Sequence, residues 1–129
     1  MQTFADLIAS RRTWIDDVLK PWCRQAGLQD LLQAEADWQN IAGRVDPDAT
    51  LWAWAWARFP DLVGPAPGLD ETRELRVMLR DGRVMVGYPD RRQSTHGKLV
   101  LLARSGNQRQ LEEFGPFAID DIASVTALP

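Results

Sequence analysis

The stretch ELRVMLRDGRVMVGYPD, residues 74–90, decides how this chain is read. Leu75, Val77 and Leu79 alternate with Glu74, Arg76 and Met78, which makes one face of an extended strand apolar. Asp81-Gly82 follows. Glycine accepts the positive φ of a tight turn, and Asp-Gly between two alternating runs is a strong hairpin signal. Val84, Val86 and Tyr88 carry the alternation back until Pro89, which has no amide hydrogen to donate. Downstream, Leu99–Leu102 reads as a third strand and Ser105-Gly106-Asn107 as a turn. Gln110–Phe114 reads as a fourth strand, extended by Gly115-Pro116 into Phe117–Ile119. Asp120-Asp121-Ile122 is expected as one helical turn and Ala123–Leu128 as a fifth strand. Residues 72–129 are therefore expected to form a five-stranded SH3-like or Sm-like antiparallel barrel.

Working back from the hairpin, Gly64, Pro65, Pro67 and Gly68 mark residues 64–71 as a linker. Before it the repeat is helical, over residues 1–63. Thr3 can cap the first helix, with Asp6 in its acidic first turn. Phe4, Leu7, Ile8, Trp14, Ile15, Val18, Leu19 and Trp22 recur at spacings of three and four, an apolar stripe. Pro21 predicts a kink or restart, and Gly27 a stop. A second helix is expected from about Leu28 to Gly43. Asp46-Pro47 then starts a third element, Asp48–Arg58. Within it, Leu51-Trp52-Ala53-Trp54-Ala55-Trp56 alternates like a strand, but its alanines and start signal favour a helix. The expected fold is α+β, an N-terminal three-helix layer packed on the barrel.

The chain has 129 residues, 45% hydrophobic and 26% charged, a globular composition able to bury a core without disulfides or metal. A net charge of −3 disfavours wholesale binding to a polyanion. The one cysteine, Cys23, cannot form an internal disulfide and reads as a small buried residue. No basic-then-apolar leader is seen, and no run approaches the roughly 20 apolar residues that span a bilayer. A cytoplasmic protein with no membrane partner is expected.

The barrel region resembles a known family. Residues 74–90 look like the opening Sm-type hairpin, and LVLL at Leu99–Leu102 like its third strand. FAIDDIASV at Phe117–Val125 is similar to the closing turn and strand of the small Sm-like bacterial Rho-inhibitor proteins. The resemblance covers about residues 72–128 and implies binding to RNA or to a protein partner. Sm-type RNA recognition uses an Asp and an Asn near the loop between the second and third strands. Asp90 stands in that region, but Gln93 and Ser94 occupy the nearby positions in place of the Asn.

No HExxH, CxxC or GxxxxGK[ST] motif is present, and His96 is the only histidine. Neither catalytic residues, nor metal ligands, nor a cofactor is expected. The acid pairs Asp16-Asp17 and Glu112-Glu113 diverge on a helix and a strand and read as solvated faces, while Asp120-Asp121 reads as a cap on its own turn. All six tryptophans lie in the first 56 positions. Trp14, Trp22, Trp38 and Trp52 fit core stripes. Trp54 points about 160° away from Trp52 on a helix, and with Tyr88 it is a candidate partner-binding residue. The loop Asp90–Lys98 carries the candidate nucleic-acid contacts Arg91, Arg92, His96 and Lys98. Residues 70–129 hold nine basic and nine acidic side chains, so the barrel region as a whole is neutral. The first expectation is a non-enzymatic protein-interaction or regulatory module with a protein partner. The alternative is an Sm-like nucleic-acid-binding regulator using loop 90–98.

Overall fold

A computed structural model describes residues 3–65, 68–104 and 111–129. Helix α1 (Phe4–Trp14) opens on a reciprocal cap. Thr3 Oγ1 accepts from the Asp6 amide, and the Asp6 carboxylate accepts from the Thr3 amide, both at 3.1 Å. A π turn (Ile15–Leu19) leads into α2 (Lys20–Gln25). Pro21 cannot donate, and the i→i+5 bond from the Lys20 amide to the Ile15 carbonyl takes up the break just before it. The expected second helix is two, α3 (Leu28–Ala36) and α4 (Trp38–Ala42), separated at Asp37 where φ is −110°. The third element begins as a 3-10 turn (Pro47–Ala49), with the Asp46 side chain accepting from the Asp48 amide, and continues as α5 (Leu51–Trp56). The Trp-Ala alternation is thus helical. The linker region closes on itself: Val63 bridges Leu69, and the Asp70 amide donates to the Leu62 carbonyl at 3.0 Å.

The second half is a five-stranded antiparallel sheet of β1 (Leu75–Leu79), β2 (Val84–Pro89), β3 (Lys98–Arg104), β4 (Leu111–Ala118) and β5 (Ile122–Ala127). A 3-10 turn (Ile119–Asp121) precedes β5. Ser105-Gly106-Asn107 and Gln110 lie outside the described residues. Gly82 takes φ +93° in the first hairpin, and Leu75 pairs with Gly87. The order is β4-β3-β2-β1-β5, so β4 and β5 are edges and the sheet is not closed into the expected barrel. The physical reason lies in what covers its apolar side. Leu75, Val77, Leu99, Leu101, Ile119 and Ile122 share one core with Leu31, Leu51, Trp52 and Leu62 of the helical half. Helices bury the face that a closed barrel would bury against itself. At the β5 edge, the Ala127 amide donates to the Asp61 carboxylate at 2.9 Å. Pro116 and Glu112-Glu113 stand on β4, groups that discourage further strand pairing.

Helices and sheet are joined at residues 26–28. Arg58 Nη2 donates to the carbonyls of Cys23 (2.9 Å) and Ala26 (2.7 Å), and its Nε to that of Ala55 (3.0 Å). The carbonyls of Cys23 and Ala26 stand at a helix end, where helical amides run out, while that of Ala55 also accepts from the Arg58 amide at 3.3 Å. The Asp120 carboxylate does not cap its own turn, as the sequence suggested, but receives the Leu28 amide at 2.9 and 3.1 Å. It supplies the cap that Gly27 cannot. Arg80 holds the same turn from the sheet, its Nε donating to the Asp120 carbonyl at 2.7 Å. Burial draws the Arg58 guanidinium below its ordinary pKa, and the Asp120 charge opposes that shift. Arg58→Ala should lower the unfolding free energy by about 2–4 kcal/mol, since it leaves part-buried carbonyls unpaired. Asp120→Ala should lower it by about 1 kcal/mol. Urea unfolding measures both, and an unchanged midpoint for Arg58→Ala would dismiss the joint.

Candidate functional site

Loop 90–98 is built around Asp90. Its carboxylate accepts from the Arg92 amide (3.0 Å) and from Gln93 Nε2 (2.7 Å), and its carbonyl from the Ser94 amide (2.9 Å). Ser94 Oγ accepts from the Val100 amide at 2.8 Å, tying the loop to β3. Acids outside the loop reach into it. The Arg91 amide donates to Glu71 (3.2 Å), and Gln93 Nε2 also donates to Glu113 (2.9 Å). Arg91, Arg92 and Lys98 are exposed, as the nucleic-acid reading requires. However, Glu71, Asp90 and Glu113 are interleaved with them and reduce the positive potential they can project.

His96 turns the other way, toward the helices. It sits at φ +53°, a left-handed conformation uncommon for a residue with a side chain. Its Nδ1 lies 2.7 Å from Glu35 Oε1 of α3, and the second Glu35 oxygen accepts from Trp52 Nε1 of α5. Gly97 follows at φ +76°, where a Cβ would lie 2.8 Å from the Trp52 ring, so the backbone is pressed directly onto the helical layer. Glu35 is the partner that sequence reasoning missed. It stands 61 positions from His96, and no spacing rule reaches that far. A cavity of about 140 Å³ lies between this chain of contacts and the loop, walled by Asp48, Trp52, Trp56, Ser94, Thr95 and His96. It is well below the roughly 300 Å³ at which ligand pockets begin. The carboxylate orients the imidazole as an acid–base pair requires, but Ser94 Oγ, the hydroxyl that could serve as a nucleophile, is engaged by Val100. The arrangement holds the loop to α3 and α5.

The two candidate partner-binding residues occupy different settings. Trp54 is half-buried. It packs edge-on against Trp38, with ring centroids 6.0 Å apart at 63°, and Lys20 Nζ stands 5.4 Å from its ring centroid. Tyr88 is exposed on the outer face of the sheet, on the same side as Val84 and Val86 and opposite Leu102 of β3.

The open tryptophans are elsewhere. Trp14 and Trp22, expected in the core, are exposed together with Phe4, Leu7, Ile8 and Val18. Trp38 and Trp52 are buried as expected. The stripe on the first helical run is wider than the surface available to cover it. Only the Ile15, Leu19, Cys23 and Ala26 side reaches the core, and α1 buries no residue. Arg11 anchors α1 near its end, its Nη2 donating to the Ala42 carbonyl at 2.9 Å. The apolar periodicity was visible in the sequence, but no sequence signal separates a stripe with a covering surface from one without.

Among the described residues, no group of three or more His, Cys, Asp or Glu is placed to hold a metal ion, and no helix is long and apolar enough to cross a membrane. Cys23 is buried, and burial pushes its thiol up to about 11. No protein-family model matches the chain, and neither a curated protein nor a solved structure matches it.

Two outcomes follow for this region. Cys23 should react with a disulfide reagent at neutral pH only at the rate of unfolding, because the thiolate is the nucleophile. The folded thiol binds its proton more tightly than the unfolded one, so its contribution to stability is complete below about pH 9 and is lost as pH rises toward about 11. Denaturation of the native chain against Cys23→Ala across that range isolates this effect, and parallel curves would refute it. Separately, Glu35→Gln should cost about 1 kcal/mol and speed amide exchange in residues 95–97, since the charged acceptor for His96 and Trp52 is lost. Unchanged exchange there would show that the contact does not hold the loop.

Proposed function

We propose that this protein is a non-enzymatic protein-interaction or regulatory module that binds through the exposed face of its first helical run. The observation that carries this reading is the set Phe4, Leu7, Ile8, Trp14, Val18 and Trp22, left exposed on one helical run whose other side, at Leu19 and Cys23, is buried. Scattered exposed apolar residues are ordinary, but six on one helical run form a patch of the kind that marks interaction sites. Two of the six are tryptophans, a residue type enriched at binding hot spots. Trp54 is a weaker anchor, since Trp38 and Lys20 already occupy two of its sides. The cell compartment read from the sequence, the cytoplasm, belongs to this proposal.

Nucleic-acid binding by an SH3-like or Sm-like sheet is the second reading. It is favoured by the exposure of Arg91, Arg92, His96 and Lys98 on one loop and of Tyr88 at its start. The short turn before β5 and the tight β1–β2 hairpin support the family resemblance. It ranks second because carboxylates are interleaved with the cations.

The two readings separate by variant. In association assays, Leu7→Glu with Trp14→Ala should abolish binding, whereas Trp54→Ala should leave most of it. Binding retained by the helix variants would reject the first reading. For the second, RNA titration at two salt concentrations should show affinity falling steeply with salt, weakened by Arg91→Ala with Arg92→Ala. Absence of binding at low salt would remove it.

A further inference from the structure

We infer that loop 90–98 is a phosphate-binding loop held in check by the chain's own carboxylates, with Glu71 and Glu113 occupying donors that a nucleic-acid phosphate would use. This rests on the nucleic-acid reading above and names its regulation. The Arg91 amide donates to Glu71 at 3.2 Å, and Gln93 Nε2 donates to Glu113 at 2.9 Å. Both acids come from outside the loop, each 20 positions from its donor, Glu71 ahead of β1 and Glu113 on β4. Backbone amides, glutamine side chains and arginines are the groups that hold phosphate oxygens in nucleic-acid complexes. A carboxylate on such a donor stands where a phosphate oxygen would, since both are anionic acceptors. Asp90 has a different part. Its carboxylate accepts from the Arg92 amide at 3.0 Å and from Gln93 Nε2 at 2.7 Å, and so shapes the loop from within.

A cavity of about 760 Å³ opens at these contacts, walled by Glu71, Arg91, Arg92, Gln93, Leu102 and Glu113. Its size falls within the roughly 300–1,000 Å³ of ligand pockets. With Asp90, three acids face two arginines across it, so the cavity is net negative as it stands. Neutralising Glu71 and Glu113 leaves two cations against one acid, which reverses the sign a phosphate meets. Both acids are exposed, and each regains water when displaced, so their hold on the donors is a modest one that a competing anion can overcome. Leu102 on the cavity wall pairs across the sheet with Tyr88, whose exposed ring stands beside the phosphate position. Single-strand binders combine cations with such rings, and a free phosphate has no use for one.

Anisotropy titration of a single-stranded oligoribonucleotide at low salt, with the intact chain, tests this. Glu71→Gln with Glu113→Gln should tighten binding about tenfold, the worth of one charge-assisted hydrogen bond. Glutamine keeps an oxygen acceptor for the loop, so the thermal melt should stay as in the native chain. Glu113→Gln alone should give about threefold and serves if the double variant is destabilised. Glu112→Gln removes the same charge one position away, where alternation turns the side chain to the other face of β4, and should change affinity less than twofold. Native binding that the double variant does not tighten overturns the inference and leaves the nucleic-acid reading standing. An equal gain from Glu112→Gln overturns it too, since distant charge alone would then account for the effect. Inorganic phosphate binding the double variant as tightly as the oligonucleotide does would overturn the choice of ligand. Absence of binding by the native chain removes the reading and the inference together.

Discussion

The structure depends on a joint of three backbone residues, Ala26, Gly27 and Leu28, where two helices and the sheet meet. One helical run ends there with free carbonyls and the next begins with a free amide. Arg58 satisfies the carbonyls of Cys23 and Ala26, and Asp120 receives the amide of Leu28. The two opposite charges are close enough to influence each other, so the cation that closes one helix and the anion that opens the next stabilise one another. Neither group would be placed without the other half of the chain, since Arg58 follows α5 and Asp120 precedes β5. Folding of the helices and of the sheet is therefore coupled through polar geometry as well as through the shared apolar core.

That coupling explains why the sheet stays open. A five-stranded sheet with one apolar face can bury it by rolling up or by accepting a cover. Here the cover is α3, α5 and the turn at Pro60–Leu62, whose Leu62 is fully buried. Asp120 and Asp61 hold the last turn and β5 against the helices, which leaves β4 and β5 as opposite edges. The outward face of β2, with Val84, Val86 and Tyr88, remains the solvent side. Loop 90–98 bridges the two surfaces, its Asp90 end facing Glu71 and Glu113 and its His96 end facing Glu35.

The same division governs which tryptophans are available. Trp38, Trp52 and Trp56 are buried in the shared core and are consumed by packing. Trp54 falls on the back of α5 but meets Trp38 and Lys20. Trp14 and Trp22 lie on a run whose other side, at Leu19, Cys23 and Ala26, packs into the core, so one amphipathic stripe is part buried and part exposed.

Local chemistry determined much of this protein in the sequence itself. The alternation of residues 74–88, the Asp81-Gly82 turn, the Thr3 and Asp46 caps and the Pro21 break are each short-range effects, acting within a turn or a strand pair. They were legible because periodicity and capping depend on neighbours a few positions away. Tertiary structure alone decided the rest. That Asp120 caps a helix 92 positions away, that Glu35 pairs with His96, that Trp14 faces solvent while Trp38 does not, and that the sheet remains open all depend on what lies opposite. A side chain's pattern says which face it is on. Whether that face is covered is a property of the assembled surfaces, and no local repeat encodes it.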